Sequence, residues 1–380
     1  MKTSIFYLLV LGVLLCHSCS VANIGNTRDV TMYVTQDYVP LSTLAQPFEY
    51  IQLKDCGPQS IIKEADKLVY LKDRVYVFDD TNDVIICYDL QGRLITSTHK
   101  YIGHGRNEYV HISDMSFDES DSLLYVLCDT PSAIMVLDAK LNIVSLHPIP
   151  LMPLEMCVSS SHILTMSVNH KDEMFEIHTL DKHHLDKQPQ LLQTSKVVAD
   201  RIMGLGRLLH TTHGECWAAL PFDNCLYKIE DGKIAETFRI DFGEKWYSGK
   251  KLKTNDFLAE NMDKVWIIQN MQRSDSLLWF NTNTEELYCL DTKNATCQCY
   301  NVIVHDSIPF ASQMLIPQQR ADNCLSFRII PSFVNSYAKN IEKQLPRDKE
   351  NKIYELCKQF QNDNNALLIQ WKPNERQRHY

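Results

Sequence analysis

Residues Arg74–Asp118 read RVYVFDDTNDVIICYDLQGRLITSTHKYIGHGRNEYVHISDMSFD. In the opening RVYVFDD, Val75 and Val77 project one way and Tyr76 and Phe78 the other, the period-two alternation of a strand. Both sets are apolar, so the strand is expected to be buried on both faces. Asp79–Asp83 reads DDTND, residues whose side chains bond their own backbone, and predicts a turn. VIICYDL then gives a second strand, Gln91–Gly92 a tight turn, and RLITSTHK a third strand. A loop carrying Gly103 and Gly105 closes the stretch.

Working outward, the hairpin part of this stretch returns. LLYVLCDTPSAIMVLDAKLNIVS covers Leu123–Ser145, and HILTMSVNHKDEMFEIHTLD starts at His162. ECWAALPFDNCLYKIEDGKIAETFRID covers Glu215–Asp241, and LLWFNTNTEELYCLDTKNATCQCYNVIV covers Leu277–Val304. Each copy has an apolar strand, a polar turn, and a strand that ends in an acid: Asp89, Asp138, Asp181, Glu230 and Asp291. Copies recur every roughly 40–60 residues, close to the spacing of propeller blades. β-Branched and aromatic enrichment with period two disfavours a helical solenoid. A sandwich of several hairpins is the competing arrangement, and five occurrences of one unit favour a β-propeller.

The flanks complete this picture. Thr31–Asp55 includes FEYIQLK, with Tyr50 and Gln52 on one face and Ile51 and Leu53 on the other, preceded by a short helical turn at Leu41–Leu44. Near the end, Ile353, Leu356, Cys357 and Phe360 lie at i, i+3, i+4 and i+7, which predicts an amphipathic helix over Lys349–Gln361. NNALLIQWK follows as a closing strand, and FEYIQLK and ALLIQWK are expected to close the ring together. Ser248–Asp263 is polar and reads as a short helix between blades. The fold class is therefore all-β, a six-bladed propeller over 46–380 with a short C-terminal helix before the closing strand.

The first residues set the compartment. MKTSIFYLLVLGVLLCHSCS has a short basic start at Lys2 and an apolar run from Ile5 to Leu15, the length of a secretory signal and too short to span a bilayer. Ser18 before Cys19 fits the cleavage step of a bacterial lipoprotein signal, which is similar to this region; Cys16 stands where Leu is usual. Residues 1–18 are thus expected to be a signal, Cys19 the lipidation site, and 19–45 a lipidated tether and lead-in. Acyl chains at about 0.8 kcal/mol per buried methylene would hold the protein at a membrane surface. No acidic run follows Cys19, which favours the periplasmic side over the cell surface.

Composition narrows the partners. The chain has 380 residues, 44% hydrophobic and 22% charged, with formal net charge −9. An acidic chain with no basic run argues against nucleic acid, whose binding needs clustered Lys and Arg. Beyond Cys16 and Cys19 there are 11 cysteines, scattered and often inside apolar strands, where free cysteine acts as a small hydrophobe. Cys297 and Cys299 fall on one face of one strand. One or two disulfides fit an exported protein, and neither a zinc pattern nor a cofactor motif is present.

With these residues in view, the chain resembles a large family of six-bladed β-propeller lipoproteins from Gram-negative anaerobes, related in shape to NHL-repeat propellers. The resemblance covers nearly the full length. It rests on the lipoprotein-like start, FEYIQLKD, DKLVYLKDRVYVFDDTNDVIICYDLQGRLI, GHGRNEYVHISDMSFD and the NNALLIQWK ending. Family members show G-x-G-x-G-E-Y at the loop; here Asn107 replaces one of the glycines. The resemblance implies fold and compartment and brings no reaction with it.

Candidate chemistry is sparse. In the loop, Gly103 and Gly105 allow close approach of a ligand, with His104, Arg106, Glu108 and His111 as polar contacts. The structural alternative has the glycines serving turn geometry, Tyr109 packing between blades, and Arg106 and Glu108 anchoring the crossing. No helix with Lys-Ser/Thr follows, so this is not a phosphate loop. His183–His184 reads as a solvent-facing turn, and His210 with His213 near Glu215 fits no zinc spacing closely. Neither G-x-S-x-G nor H-E-x-x-H occurs, and the strand-end acids fit turn chemistry. The expected function is a membrane-anchored module binding an envelope protein or extracellular ligand, with no catalytic residues, metal or cofactor assigned. The alternatives are a propeller enzyme acting on carbohydrate or peptide at the channel mouth, and a structural component of an envelope complex.

Overall fold

The computed structural model describes residues 25–196, 206–212, 214–247, 249, 261, 263–284, 286–304, 315–320, 323–329, 365 and 367–374. The signal segment with Cys19, most of 248–263, the helix expected over Lys349–Gln361, and His213 and Cys357 lie outside them.

The chain starts with β1 (Asn26–Pro40), α1 (Leu41–Leu44) and β2 (Ala45–Gln52). A first unit follows, β3 (Lys67–Tyr70), β4 (Arg74–Asp79), β5 (Val84–Asp89) and β6 (Leu94–Ser97). The second is β7 (Ile112–Asp118), β8 (Leu123–Asp129), β9 (Ser132–Leu137) and β10 (Ile143–Pro148). The third is β11 (Pro153–Val158), β12 (His162–Asn169), β13 (Met174–Asp181) and β14 (Gln190–Lys196). The fourth is β15 (Leu209–Thr212), β16 (Glu215–Ala219), β17 (Cys225–Glu230) and β18 (Lys233–Ile240). The fifth is β19 (Ile268–Ser274), β20 (Leu277–Thr282), β21 (Leu287–Asp291) and β22 (Thr296–Val304). The described strands end with β23 (Gln318–Gln319), β24 (Leu325–Ile329) and β25 (Leu367–Pro373).

Each of the five units is an antiparallel meander of four strands, and β2, β25 and β24 form a further three-stranded sheet. The aspartates at the third-strand ends cap the last hairpins, while Glu230 pairs with Lys228 instead. Asp89 accepts from the backbone N–H of Gln91 and Arg93, Asp138 from Lys140 and Asn142, and Asp291 from Lys293. Gly92 has φ +74°, and a Cβ there would lie 1.7 Å from the Gln52 carbonyl, so the end of β2 packs directly on this turn.

The sheets pack face to face in a closed circle. Tyr76, Phe78 and Cys87 of the first unit meet Met115, Leu124 and Val126 of the second. The other faces of β4 and β5 turn Val75, Val77 and Ile86 toward Ile51 and Leu368 of the three-stranded sheet. Tyr125 and Leu127 meet Met156 and Ile163; Leu164 and Phe175 meet Ala218 and Tyr227. Trp217 and Phe238 meet Leu278 and Phe280, and Trp279 and Tyr300 meet Phe327, Ile369 and Trp371. Alternate residues of one strand thus serve two interfaces, as the double-sided apolar pattern predicts. First strands of neighbouring units touch around a common axis. Radial four-stranded meanders closed on themselves define a β-propeller.

Closure falls where the sequence places it. β25 pairs antiparallel with β2 on one side and β24 on the other, joining the two ends of the chain in one sheet. The expected tether is corrected from Asn26 onward. Asn26–Val30 pair in parallel with Glu236–Ile240, and Thr31–Pro40 with Thr296–Val304, so β1 adds an outermost strand to two units in turn. The pairing is through backbone groups of free sheet edges, and its exposed Tyr33 and Val34 sit where no apolar face is required.

Candidate functional site

At the axis the first strands cannot ladder with one another, so side chains complete the hydrogen bonding of neighbouring backbones. Asp114 of β7 accepts from Met156 N at 2.9 Å and from Lys67 Nζ at 3.0 Å. Ser116 accepts from Val158 N at 3.1 Å. Glu155 of β11 accepts from Leu208 N at 2.7 Å and Leu209 N at 3.0 Å. β23 pairs in parallel with β3, and Gln319 accepts from Phe117 N at 2.8 Å while its amide donates to Phe117 O. β23 therefore bridges β3 to β7 inside the ring.

Burial pushes the Glu155 carboxyl up to about 7, with Arg207 opposing the rise and Asp114 adding to it. His210 on β15 is also buried; desolvation, with Lys67 and Arg273 nearby, pushes it down to about 3. His210 is thus a neutral interior group, and His213 is outside the described residues.

Above this floor lies a cleft of about 430 Å³ lined by Asp80, Asp83, His111, Ile112, Ser113, Asp129, Leu154 and Arg207. It is assembled from the β4–β5 turn, the starts of β7 and β11, the approach to β15 and the end of β8. Asp83 has a left-handed backbone (φ 53°); its carboxylate bonds His111 Nδ1 at 2.9 Å and accepts from Ile112 N at 3.3 Å. Ser113 Oγ donates to the Asp129 carboxylate. Arg207 crosses the mouth: it donates to Ser113 O at 2.9 Å, and its guanidinium lies 5.1 Å from the Phe78 ring centre. Burial alone would lower its pKa, but Asp114, Glu155, Asp66 and Asp80 raise it overall. Asp80 is itself raised by burial, with Arg207 counteracting.

The cleft therefore presents carboxylate acceptors around one fixed, charged donor. His111 Nδ1 is bonded to Asp83 and the Ser113 hydroxyl to Asp129, so these two pairs stand side by side rather than forming one relay. Among the described residues no three His, Cys, Asp or Glu side chains form a metal-binding set.

The four loop candidates separate. His111 lines the cleft, whereas His104 and Arg106 are exposed on the preceding loop and outside its lining. Glu108 folds back onto the loop and accepts from Gly105 N at 2.7 Å. A Cβ on Gly103 would fall 2.1 Å from the Glu108 carboxylate, so the small residue admits that carboxylate. Tyr109 is buried in the first inter-unit interface and its hydroxyl reaches Thr98 Oγ1 at 2.7 Å. His184 is exposed and bonds Asp181 at 2.9 Å. Asp80, Asp83, Ser113, Asp129 and Arg207 do not stand out as site residues in the sequence, because the β4–β5 turn holds Asp80 and Asp83 while the other three come from distant segments that the fold alone brings together.

This architecture places the protein in the class of β-propellers with a polar cleft at the axial mouth. The chain belongs to a family described as a domain of unknown function, DUF4934, whose model matches residues 27–370. In structure it is similar to a protein of Bacteroides fragilis NCTC 9343 provisionally named as exported, with TM-score 0.61 at 12% identity, covering 92% of this chain and 100% of that one. It also matches BamB from Moraxella catarrhalis (TM-score 0.40, 12% identity, 67% of this chain and 66% of that one). Virginiamycin B lyase from Staphylococcus aureus matches with TM-score 0.43 and 13% identity, over 70% of this chain and 79% of that one. Among curated proteins there is no match.

Proposed function

We propose that this chain is an exported, six-bladed β-propeller lipoprotein, anchored through Cys19 on the periplasmic side, that binds a small polyhydroxylated ligand of the carbohydrate class in the axial cleft. The observation that carries the reading is the cleft lining. Asp80, Asp83 and Asp129 accept hydrogen bonds from hydroxyls, Arg207 donates, and half-exposed Leu154 offers an apolar patch to ring C–H groups. Its volume of about 430 Å³ is in the range of small-molecule sites. His111 belongs to the site directly; His104 and Arg106 extend the surface beside it, and Glu108 holds their loop. Export is supported by the apolar run before Cys19 and by the name of the Bacteroides fragilis structure.

The test is a thermal-shift and calorimetric screen of neutral sugars, amino sugars and uronic acids. Neutral or amino sugars are expected to stabilise the protein, uronic acids to fail against the carboxylates, and Asp83→Asn to reduce the stabilisation at equal ligand concentration. A preference for uronic acids, or stabilisation of Asp83→Asn equal to that of wild type, overturns the site. For the anchor, a palmitate analogue is expected to label the wild type and not Cys19→Ala; label retained by the variant contradicts it.

A further inference from the structure

Cys157 on β11 and Cys216 on β16 stand on opposite sides of the interface between the third and fourth units. Register explains why they meet. Cys216 is the cross-strand partner of Thr211, so the two share one face of their sheet. Thr211 Oγ1 donates across the interface to Val158 O at 3.0 Å. Cys216 therefore faces β11 beside the residue that precedes Val158, which is Cys157. The two thiols are neighbours across the interface, both buried, and both reduced in this structure. Cys297 and Cys299, by contrast, lie two apart on one strand and face the same interface, which keeps them from bridging two units.

We infer that Cys157 and Cys216 are a paired modification site, joined as an inter-blade disulfide when the chain folds in an oxidising compartment. The inference rests on the proposed export for its setting and is independent of the cleft. The oxidant is a disulfide of an envelope thiol–disulfide oxidoreductase or of a small thiol. The Cys216 thiolate attacks one sulfur of that disulfide and expels the other as a thiolate. The Cys157 thiolate then attacks the Cys216 sulfur of the mixed disulfide and expels the second oxidant sulfur. Two protons leave the cysteine pair and two electrons pass to the oxidant, whose two sulfurs end as thiols.

Timing follows from burial. Desolvation pushes the Cys157 thiol well above the ordinary range, and packing closes it from solvent. Exchange therefore belongs to the stage before the fourth unit docks on the third. Once formed, the bond closes a loop of about 60 residues and restrains the unfolded chain.

The experiment denatures the full-length protein isolated from the envelope in the presence of N-ethylmaleimide, so that buried thiols are trapped as well, then digests it without reductant for mass spectrometry. The Cys157 and Cys216 peptides are expected as one linked species that reductant separates. The linkage is expected to be absent from Cys216→Ser and retained in Cys225→Ser, whose cysteine shares a tryptic peptide with Cys216. Reduction is expected to lower Tm by about 5 °C. Maleimide on both cysteines of the envelope protein, or a link from either to another cysteine, overturns the pair. If fractionation finds the protein in the cytoplasm, the export reading fails by itself. Refolding the reduced chain in a glutathione redox mixture then decides the pair: a Cys157–Cys216 link supports it, and two labelled thiols refute it.

Discussion

The glycine-bearing loop 103–109 and the axial mouth adjoin in sequence through His111, yet they use their polar groups in opposite ways. In the loop, the Glu108 carboxylate accepts from Gly105 N and the Tyr109 hydroxyl bonds Thr98 Oγ1, so the conspicuous residues hold the chain crossing in shape. At the mouth, Asp80 and Asp83 of one turn are joined by Ser113, Asp129 and Arg207 from three distant segments, and together they border an open volume. The polar groups of Glu108 and Tyr109 are spent on the loop itself, while the residues at the mouth share no motif. The reason is geometric: a propeller converges its units on one axis, and a site on that axis samples many short segments.

The largest expected effect concerns the ring on which both regions depend. Deleting 364–380 removes β25, the middle strand of the closing sheet, together with buried Leu368, Ile369 and Trp371. Loss of the whole cooperative transition is expected in thermal denaturation. A truncated protein that still melts cooperatively would break the account of closure.

Next is a pH effect at the floor of the mouth. The folded Glu155 pKa, about 7, lies above its ordinary 4.5, so its contribution to stability is full at low pH and is lost as pH rises through 7. The full span corresponds to roughly 3 kcal/mol. Glu155→Gln retains an acceptor for Leu208 and Leu209 N–H, and is expected to gain stability relative to wild type between pH 5 and pH 8 in urea titrations. His210 slopes the other way: with a folded value near 3 against an ordinary 6.5, its contribution is intact above pH 6.5 and lost as pH falls toward 3. A Glu155→Gln difference that is flat with pH would place that carboxyl in a solvated setting.

In the loop, Tyr109→Phe removes the hydroxyl that reaches Thr98 while keeping the ring in its interface. A loss of about 1 kcal/mol is expected by denaturant melting. The smallest effect belongs to the exposed pair: His104→Ala with Arg106→Ala is expected to change stability by less than about 0.5 kcal/mol. A larger loss would mean that these side chains carry structure that their exposure does not suggest.

These differences track what the sequence made legible. The double-sided alternation of Val75, Tyr76, Val77 and Phe78 maps directly onto two interfaces, and the strand-end acids onto hairpin caps. The closing pair FEYIQLK and ALLIQWK was readable for the same reason, since Ile51, Ile369 and Trp371 each face a core. Strands β11 and β15 were not readable: Glu155, His210 and Thr211 serve the axis and break the apolar pattern. β1 was hidden because an outermost strand is recruited by backbone pairing, which leaves no mark in composition. Arg207 gave no local signal, because its partners are up to roughly 140 positions away in the chain.

The most direct test of the contrast between loop and mouth is calorimetric titration with the sugar that gives the largest thermal shift. Wild type, Asp83→Asn and the His104→Ala/Arg106→Ala double variant are compared under one condition. Asp83→Asn is expected to weaken binding by about tenfold or more, a change of about 1.4 kcal/mol, while the loop variant stays within about twofold of wild type. Weakening by the loop variant, with Asp83→Asn binding as wild type does, would contradict the assignment of the axial mouth as the site.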